Sequence, residues 1–453
     1  MPRNNRITRR DFMRTTAGGA GAAVATRGVM LSPSPMEAQP GPVAPSDTVR
    51  FGMIGIGMQG SGLLGTSIRL PGVECIAACD LYDGRHQLAK EIVGKPIITT
   101  RHYRELLDNK DIDCVIAALP DHWHKQVVVD ACNAGKDIYC EKPMTHHVSE
   151  GFEMIEAEKK NNRIVQIGSQ RRSSVIFAKA KEFVEQGAIG DLYLVEGTMG
   201  RNDPCGAWEY PPPPDLSPET LDWDTWQGTA PKREFDPIRF ARWRAFTDYG
   251  EGIPGDLFVH LLTGIHFIKS ITAPPERALS SGGQFRWKDH GRDVPDALTT
   301  LYEYPGFRAM IRVTLNTDAP ESTRFLGTHG IMEIRDDAVT IFAQDGMEHS
   351  PCYYTNSYPA KLRAEYVQHW QSEHEIEPGT QTIIPSKSFY TPPGYNDDRE
   401  HLWNFFQSVR TRRPSVEDAT FGNHTAIACH MANYSYFKKT VAVWDAATKT
   451  TTG

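Results

Sequence analysis

The 453-residue chain has no long uninterrupted hydrophobic run. Its apolar N-terminal stretch, Ala17 to Leu31, is broken by Arg27. A bilayer span needs about 20 apolar residues, so this stretch is too short and too polar to be one. None of the eight cysteines forms a C-x-x-C pair, which removes the usual zinc and thiol-redox motifs. After Arg14 there is no long run of Lys or Arg, and the net charge is -7. Without clustered cations to neutralise phosphates, nucleic acid is excluded as a partner. No internal repeat is found. What is left, 40% hydrophobic and 23% charged residues, is ordinary globular composition.

The first residues are the exception. Arg3, Arg6, Arg9, Arg10 and Arg14 precede the small apolar stretch, and Thr8-Arg9-Arg10-Asp11-Phe12-Met13-Arg14 reads as a twin-arginine signal. Ala23-Val24-Ala25 fits an A-x-A cleavage site, and a cut after Ala38 is the alternative. The expectation is export through the twin-arginine machinery to the periplasm or medium, already folded, with no stable membrane anchor. Cys75, Cys79, Cys114, Cys132 and Cys140 lie in or beside apolar segments and read as small buried residues. Cys205 and Cys352 stand in loop-like sequence and are the candidates for pairing in an oxidising compartment.

Three segments follow: a leader and linker over 1–48, a first domain over 49–169 and a second over 170–453. In the first domain, strands at Val49–Ile54, Val73–Cys79, Cys114–Leu119, Asp137–Cys140 and Ile164–Ile167 alternate with helices at 61–69, 85–92, 103–108, 125–134 and 148–161. That rhythm predicts an α/β fold, a doubly wound parallel sheet with helices on both faces. After residue 170 the rhythm changes. Strand-like segments at 192–198, 297–304, 308–314 and 331–334 predict a mainly antiparallel sheet, with helices at 175–186, 255–270, 397–410 and 424–437. Gly200–Thr247, rich in Pro and Trp, reads as a long ordered loop.

Gly55-Ile56-Gly57-Met58-Gln59-Gly60 follows a strand, opens a helix, and has an acid, Asp80, at the end of the next strand. This is the context of a dinucleotide fingerprint. Gly55 permits the turn, Gly57 lets the backbone approach a pyrophosphate, and Gly60 lets helix and sheet pack closely. The helix start offers amide donors to phosphate. Asp80 would accept ribose hydroxyls and repel a 2′-phosphate, favouring NAD, while nearby Arg85 keeps NADP open.

Two constellations carry chemistry. Glu141-Lys142-Pro143 stands just past a parallel strand, where open α/β sheets bind ligands. A lysine there can polarise a hydroxyl or carbonyl. Asp256 and His260, four apart on a predicted helix, share one face, as a base and its orienting carboxylate would. His122, His124, His146 and His147 invite a metal, but no cysteine or carboxylate spacing completes a site. The tryptophans from Trp208 to Trp243 either stack on sugar rings or pack the loop.

Taken together, the fingerprint, Pro120-x-x-x-His124, Glu141-Lys142-Pro143 and Asp256-x-x-x-His260 resemble the Gfo/Idh/MocA oxidoreductases. So do Gln170-Arg171-Arg172-Ser173, Tyr249-Gly250-Glu251-Gly252, and the tail through Asn404-Phe405, Gly422-Asn423-His424, Ala432-Asn433 and Trp444-Asp445. The resemblance implies a Rossmann domain and a C-terminal domain whose open sheet is the substrate floor and oligomer face, in a homodimer or homotetramer. It implies that Lys142 holds the reacting hydroxyl, His260 is the general base and Asp256 its partner or a substrate ligand. Pro120 and His124 would lie along the nicotinamide, with Met58 and Gln59 in the cofactor loop and Glu141 also at the cofactor, and Arg171, Arg172 and Tyr249 at a carbohydrate. Many members carry glycine between the Asp and His; Leu257-Phe258-Val259 departs from that. The activity implied is hydride transfer between a sugar, polyol or glycoside hydroxyl and a tightly bound nicotinamide cofactor. The alternative is an NAD-dependent glycosidase or lyase working through a transient 3-keto sugar, for which net redox change is zero.

Overall fold

The computed structural model describes residues 29–30, 47–344, 346, 350–374 and 386–453. The twin-arginine segment and both proposed cleavage sites lie outside them.

The chain forms two sheets. One contains β2 (Val49–Ile54), β3 (Val73–Cys79), β4 (Ile98–Thr100), β5 (Cys114–Ala117), β6 (Asp137–Glu141) and β7 (Val165–Gly168), in the order β4-β3-β2-β5-β6-β7 and parallel throughout. Residues Cys114 to Ala117 are all inaccessible, as a central strand covered on both faces requires. The order reverses between β2 and β5, which opens a crevice at their carboxyl ends. The short β4 escaped the sequence reading because its three residues, Ile-Thr-Thr, are only half covered.

The other sheet joins β1 (Val29–Met30), β8 (Leu192–Gly200), β9 (Arg277–Gly283), β10 (Ala297–Tyr304), β11 (Phe307–Thr314), β12 (Ala319–Gly327), β13 (Gly330–Arg335), β14 (Ala338–Ala343), β15 (Lys387–Tyr390), β16 (Ala442–Asp445) and β17 (Thr450–Thr452). Its order is β1-β15-β14-β13-β12-β8-β11-β10-β9-β16-β17. The pairs are antiparallel except β8–β11 and β1–β15. Alternating burial along β10 and β11 puts Leu298, Thr300, Tyr302 and Tyr304 inward with Ala309, Ile311 and Val313.

Local chemistry fixes the helices that join the two halves. The helix Val148–Asn161 starts in a capping box between His147 and Glu150 and stops at Asn162, which is left-handed at φ 50. The helix Ala419–Lys438 starts at Asp418, whose carboxylate accepts the Phe421 N–H at 2.8 Å. It threads between the sheets. At Gly151 a Cβ would stand 2.0 Å from the Asn423 amide oxygen, and at Gly422 it would stand 2.6 Å from Ile167, so the two helices and β7 meet only because both positions lack side chains.

Gly200–Thr247 is largely irregular, with short helical turns at Trp223–Trp226 and Pro237–Ala241. It is anchored on the first domain rather than loose. Asp83 N–H donates to Thr220 O (3.0 Å), Asp222 N–H to Leu81 O (3.1 Å) and Trp123 Nε1 to Trp226 O (2.9 Å). Tyr82, Leu221, Trp223, Trp226, Phe240, Phe246 and Tyr249 form a separate aromatic core beneath it. Cys205 and Cys352 are exposed and unpaired; the other six cysteines are buried.

Candidate active site

The crevice at the carboxyl end of β2 continues into a cleft of about 500 Å³ between the domains. A smaller chamber beside it, about 190 Å³, is lined by Gly55, Asp80, Arg85, Pro120 and Trp123, and roofed by Thr225 and Trp226 of the anchored segment. The larger chamber holds Gly57, Met58, Gln59, Glu141, Lys142, Gln170, Arg201, Arg244, Asp256 and His260 among its walls.

The glycine turn suits a dinucleotide. Gly55 has φ +85, and a Cβ on it would sit 2.3 Å from Ala118 O; a Cβ on Gly60 would sit 2.0 Å from Gly55 O. At Gly57 a Cβ would meet nothing closer than Arg85, at 3.5 Å, so its backbone faces the open cleft. The helix Met58–Ser67 begins there with no side-chain cap and no acid in its first turn. Free amide donors and the positive helix end thus face the position of a pyrophosphate. Met58 projects into solvent beside them at 67% exposure.

Asp80 has two tasks. One oxygen accepts the Ile56 N–H at 2.8 Å, the other the Tyr82 N–H at 3.0 Å, and Arg85 Nη1 lies 3.3 Å away. The carboxylate therefore shapes the glycine turn as well as lining the smaller chamber. Arg85 is stacked on Phe240 at 5.0 Å, which draws the second domain over the turn.

Beyond β6, Glu141 is buried. It receives Gln59 Nε2 at 3.1 Å and Gln170 Nε2 at 3.3 Å. Burial pushes its carboxyl up to about 7, against the lowering charge of Lys142. Lys142 Nζ donates to Asp256 Oδ1 and to Asp256 O, both at 2.9 Å. Asp256 Oδ1 also receives Arg244 Nε at 3.0 Å, and Oδ2 receives Trp208 Nε1 at 3.0 Å. Burial alone would raise this carboxyl; Lys142 and Arg244 outweigh it and hold it far below the usual carboxylate range.

The Asp256–His260 relationship differs from the expected base and orienting carboxylate. Residues Pro254–Phe258 form a π-turn that leads into the helix Val259–Ile268. Asp256 is turned to Lys142, Arg244 and Trp208, and among the described residues no hydrogen bond joins it to His260. Burial, then the charges of Lys142 and Arg171, press the His260 imidazole well below its ordinary value, despite Asp256 and the Ser169 backbone. His260 is held neutral at the wall of the cleft.

Other expected residues stand one layer back. His124 is fully buried, with Nδ1 2.7 Å from Pro143 O and Nε2 3.0 Å from Leu119 O. It staples the loops after β5 and β6, while Pro120 reaches the cleft itself. Tyr249, expected at the substrate, is inaccessible and packed against Trp226 and His122. Arg171 pairs with Glu321 at 2.5 Å and Arg172 lies over Phe421 at 4.4 Å; neither lines the cleft. The guanidinium groups that do are Arg85, already matched to Asp80, and Arg201 and Arg244, from a segment whose lack of periodicity gave no signal beyond its tryptophans. Of those, Trp226 and Trp243 line the cleft and Trp208 is buried against Asp256. His122 and His146 spend ring nitrogens on backbone carbonyls, and no group of three metal-ligating side chains is found among the described residues.

Comparison with known proteins finds similar sequences and a shared fold. The inositol 2-dehydrogenase of Salmonella typhimurium is 36% identical over 152 residues, which are 33% of this chain and 45% of that protein. A glycosyl hydrolase family 109 protein of Shewanella baltica is 30% identical over 207 residues, 41% of this chain and 44% of the relative. The aligned stretches thus span less than half the length of either relative. A levoglucosan dehydrogenase solved with NADH and levoglucosan superposes with a TM-score of 0.62 at 18% identity, covering 87% of this chain and 98% of that one; it shares the two-domain fold. Residues 49–169 match the family described as an oxidoreductase family with an NAD-binding Rossmann fold. That stretch is therefore similar to the NAD-binding Rossmann domain of the Gfo/Idh/MocA oxidoreductases.

Proposed function

We propose that the protein is an exported oxidoreductase that moves hydride between the CH–OH group of a sugar, polyol or glycoside and a tightly held NAD. The observation that carries this reading is the position of Lys142. Its ammonium stands past the end of β6, on Asp256 and beside His260, in the chamber next to the glycine turn. Gly55, Gly57, Gly60, Asp80, Pro120 and Glu141 would hold the cofactor, which when bound supplies the hydride acceptor.

The chain's own groups have distinct tasks. Lys142 donates a hydrogen bond to the reacting oxygen and stabilises its negative charge as it develops. His260, neutral and unpaired with Asp256, accepts the hydroxyl proton. Asp256 aims Lys142 through its two hydrogen bonds, and Arg244 supports Asp256 from the other side. The anchored segment over Thr225 and Trp226 favours retention of the dinucleotide, because release requires its bonds to Leu81, Asp83 and Trp123 to open.

The family 109 likeness favours a second reading on the same site, elimination from a transient 3-keto glycoside with hydride returned. Incubating native protein with neutral sugars, sugar acids and nitrophenyl glycosides separates them. Growth of the reduced nicotinamide absorbance supports the oxidoreductase. Release of nitrophenol without net reduction supports the glycosidase. Neither, in protein with bound NAD, rejects both.

Export and assembly belong to the same proposal. Replacing Arg9 and Arg10 by lysine in the full chain should abolish export; continued export would end the compartment reading. Leu279, Leu301, Phe342 and Tyr390 share an exposed face of the large sheet, by the registers that link them, and this supports a homodimer or homotetramer.

A further inference from the structure

The substrate chamber carries more positive charge than hydride transfer from a neutral sugar uses. Three cations, Lys142, Arg201 and Arg244, surround one ionised carboxylate, Asp256. Glu141 lies deeper, behind Gln59 and Gln170, and Asp398 is exposed at the rim. Arg85, the remaining cation of the wall, is matched to Asp80. Lys142 and Arg244 are matched to Asp256. Arg201 has no hydrogen bond or ion pair from its guanidinium among the described residues.

Its place is nonetheless built. Arg201 N–H donates to Thr314 O at 2.9 Å, which pins the end of β8 to β11. Its aliphatic stem lies against the turn at Gly206, where a Cβ would stand 2.9 Å from Arg201 Cβ and 3.2 Å from its Cδ. Arg201 shares the wall of the cleft with Tyr210 and Asp256. A planar cation fixed by its stem and left unpaired in a cleft is the arrangement that grips a carboxylate through two parallel N–H bonds.

We propose that the substrate is a carboxylated sugar, a uronic or aldonic acid, and that Arg201 binds its carboxylate. This rests on the oxidoreductase reading and adds the substrate class. The carboxylate offsets the excess charge around Asp256, while Lys142 is left for the reacting hydroxyl at another carbon. Arg201 thereby sets which sugar is held, and in which orientation.

The test uses full-length protein with its retained NAD. Turnover, with an added redox dye as the acceptor that takes the hydride off the bound cofactor, is compared for glucuronate against glucose, galacturonate against galactose, and gluconate against sorbitol, with glucose 6-phosphate as a second anion. Binding of each acid is measured separately by calorimetry. The expected result is that at least one acid exceeds its neutral partner in kcat/KM by about 10–100-fold. In Arg201→Gln that preference should collapse, mainly through KM, and in Arg201→Lys it should be partly restored. Equal use of acid and neutral sugar, or a preference unmoved by Arg201→Gln, overturns the proposal and leaves the oxidoreductase standing. Preference for the phosphate ester overturns the carboxylate. Acid binding that depends on Arg201, without reduction of nicotinamide by any sugar, keeps the carboxylate site and overturns the oxidoreductase.

Discussion

Lys142 and Asp256, 114 residues apart in sequence, meet twice: the lysine Nζ is 2.9 Å from the carboxylate Oδ1 and 2.9 Å from the backbone oxygen of the same residue. One bond fixes charge, the other direction. Replacing Lys142 by alanine should lower turnover by about 10²–10⁴-fold and leave bound dinucleotide in place, since the glycine turn is untouched. Asp256→Ala should do worse. It leaves Lys142 and Arg244 without their shared carboxylate, and breaking such a buried pair costs about 3–5 kcal/mol. Thermal unfolding of the two variants checks the order: Asp256→Ala well below Lys142→Ala.

Glu141 gives the cofactor site a pH dependence. Burial pushes its carboxyl to about 7, so it gains negative charge as pH rises through neutrality. Oxidised nicotinamide is cationic, and an anion beside it is favourable. Reloading of stripped protein with NAD should therefore tighten from about pH 6 to about pH 8, and Glu141→Gln should flatten that slope. A slope that survives in Glu141→Gln assigns it to another group.

The roof of the smaller chamber, Thr225 and Trp226, should set the rate of cofactor loss. Trp226 is stacked on Trp223 at 4.8 Å and packs on Tyr249 at 4.7 Å. Trp226→Ala removes that support, at a local cost of about 3–5 kcal/mol. Dinucleotide that stays with the native protein through gel filtration should be lost from the variant, while the secondary structure by circular dichroism persists. Full retention would show that the roof does not hold the cofactor.

Acid should unfold the protein through its buried imidazoles. Burial lowers His122, His124 and His401 to about 4 and His266 to about 3. An unfolded histidine binds its proton near 6.5. Below that value the unfolded state takes up protons that the native state refuses, so stability is intact above about 6.5 and falls as pH drops toward 4. Each shift to about 4 is worth on the order of 3 kcal/mol. Urea midpoints measured from about pH 7 down to about pH 4.5 should decline steeply, and His401→Gln should decline less.

The sequence made the first domain readable because all of its elements but the short β4 carry their own signal. Val148–Asn161 has its cap, acid and stop, and Val73–Cys79 ends on Asp80. The second domain was legible where strands alternate strongly, as at Ala297–Tyr304. Arg277–Gly283 and Ala319–Gly327 were not, because Ser-Ser-Gly-Gly and Ala-Pro-Glu-Ser-Thr are weak strand formers that neighbouring ladders hold in place. In the site, Lys142 was visible from its place after β6. Arg201 and Arg244 were not, since their role depends on an irregular segment folding back across the crevice. The helix spacing that paired Asp256 with His260 missed the π-turn and the stronger claims of Lys142 and Arg244 on the carboxylate.

The most direct measurement is made on native protein purified without added nucleotide. It is denatured for mass spectrometry of any released dinucleotide, and a parallel native sample is mixed with the sugar panel under single-turnover conditions. The account predicts released NAD, and reduction of one equivalent of nicotinamide by a sugar in the wild type but not in Lys142→Ala. Protein that releases no dinucleotide, or that reduces nicotinamide equally well without Lys142, would contradict it.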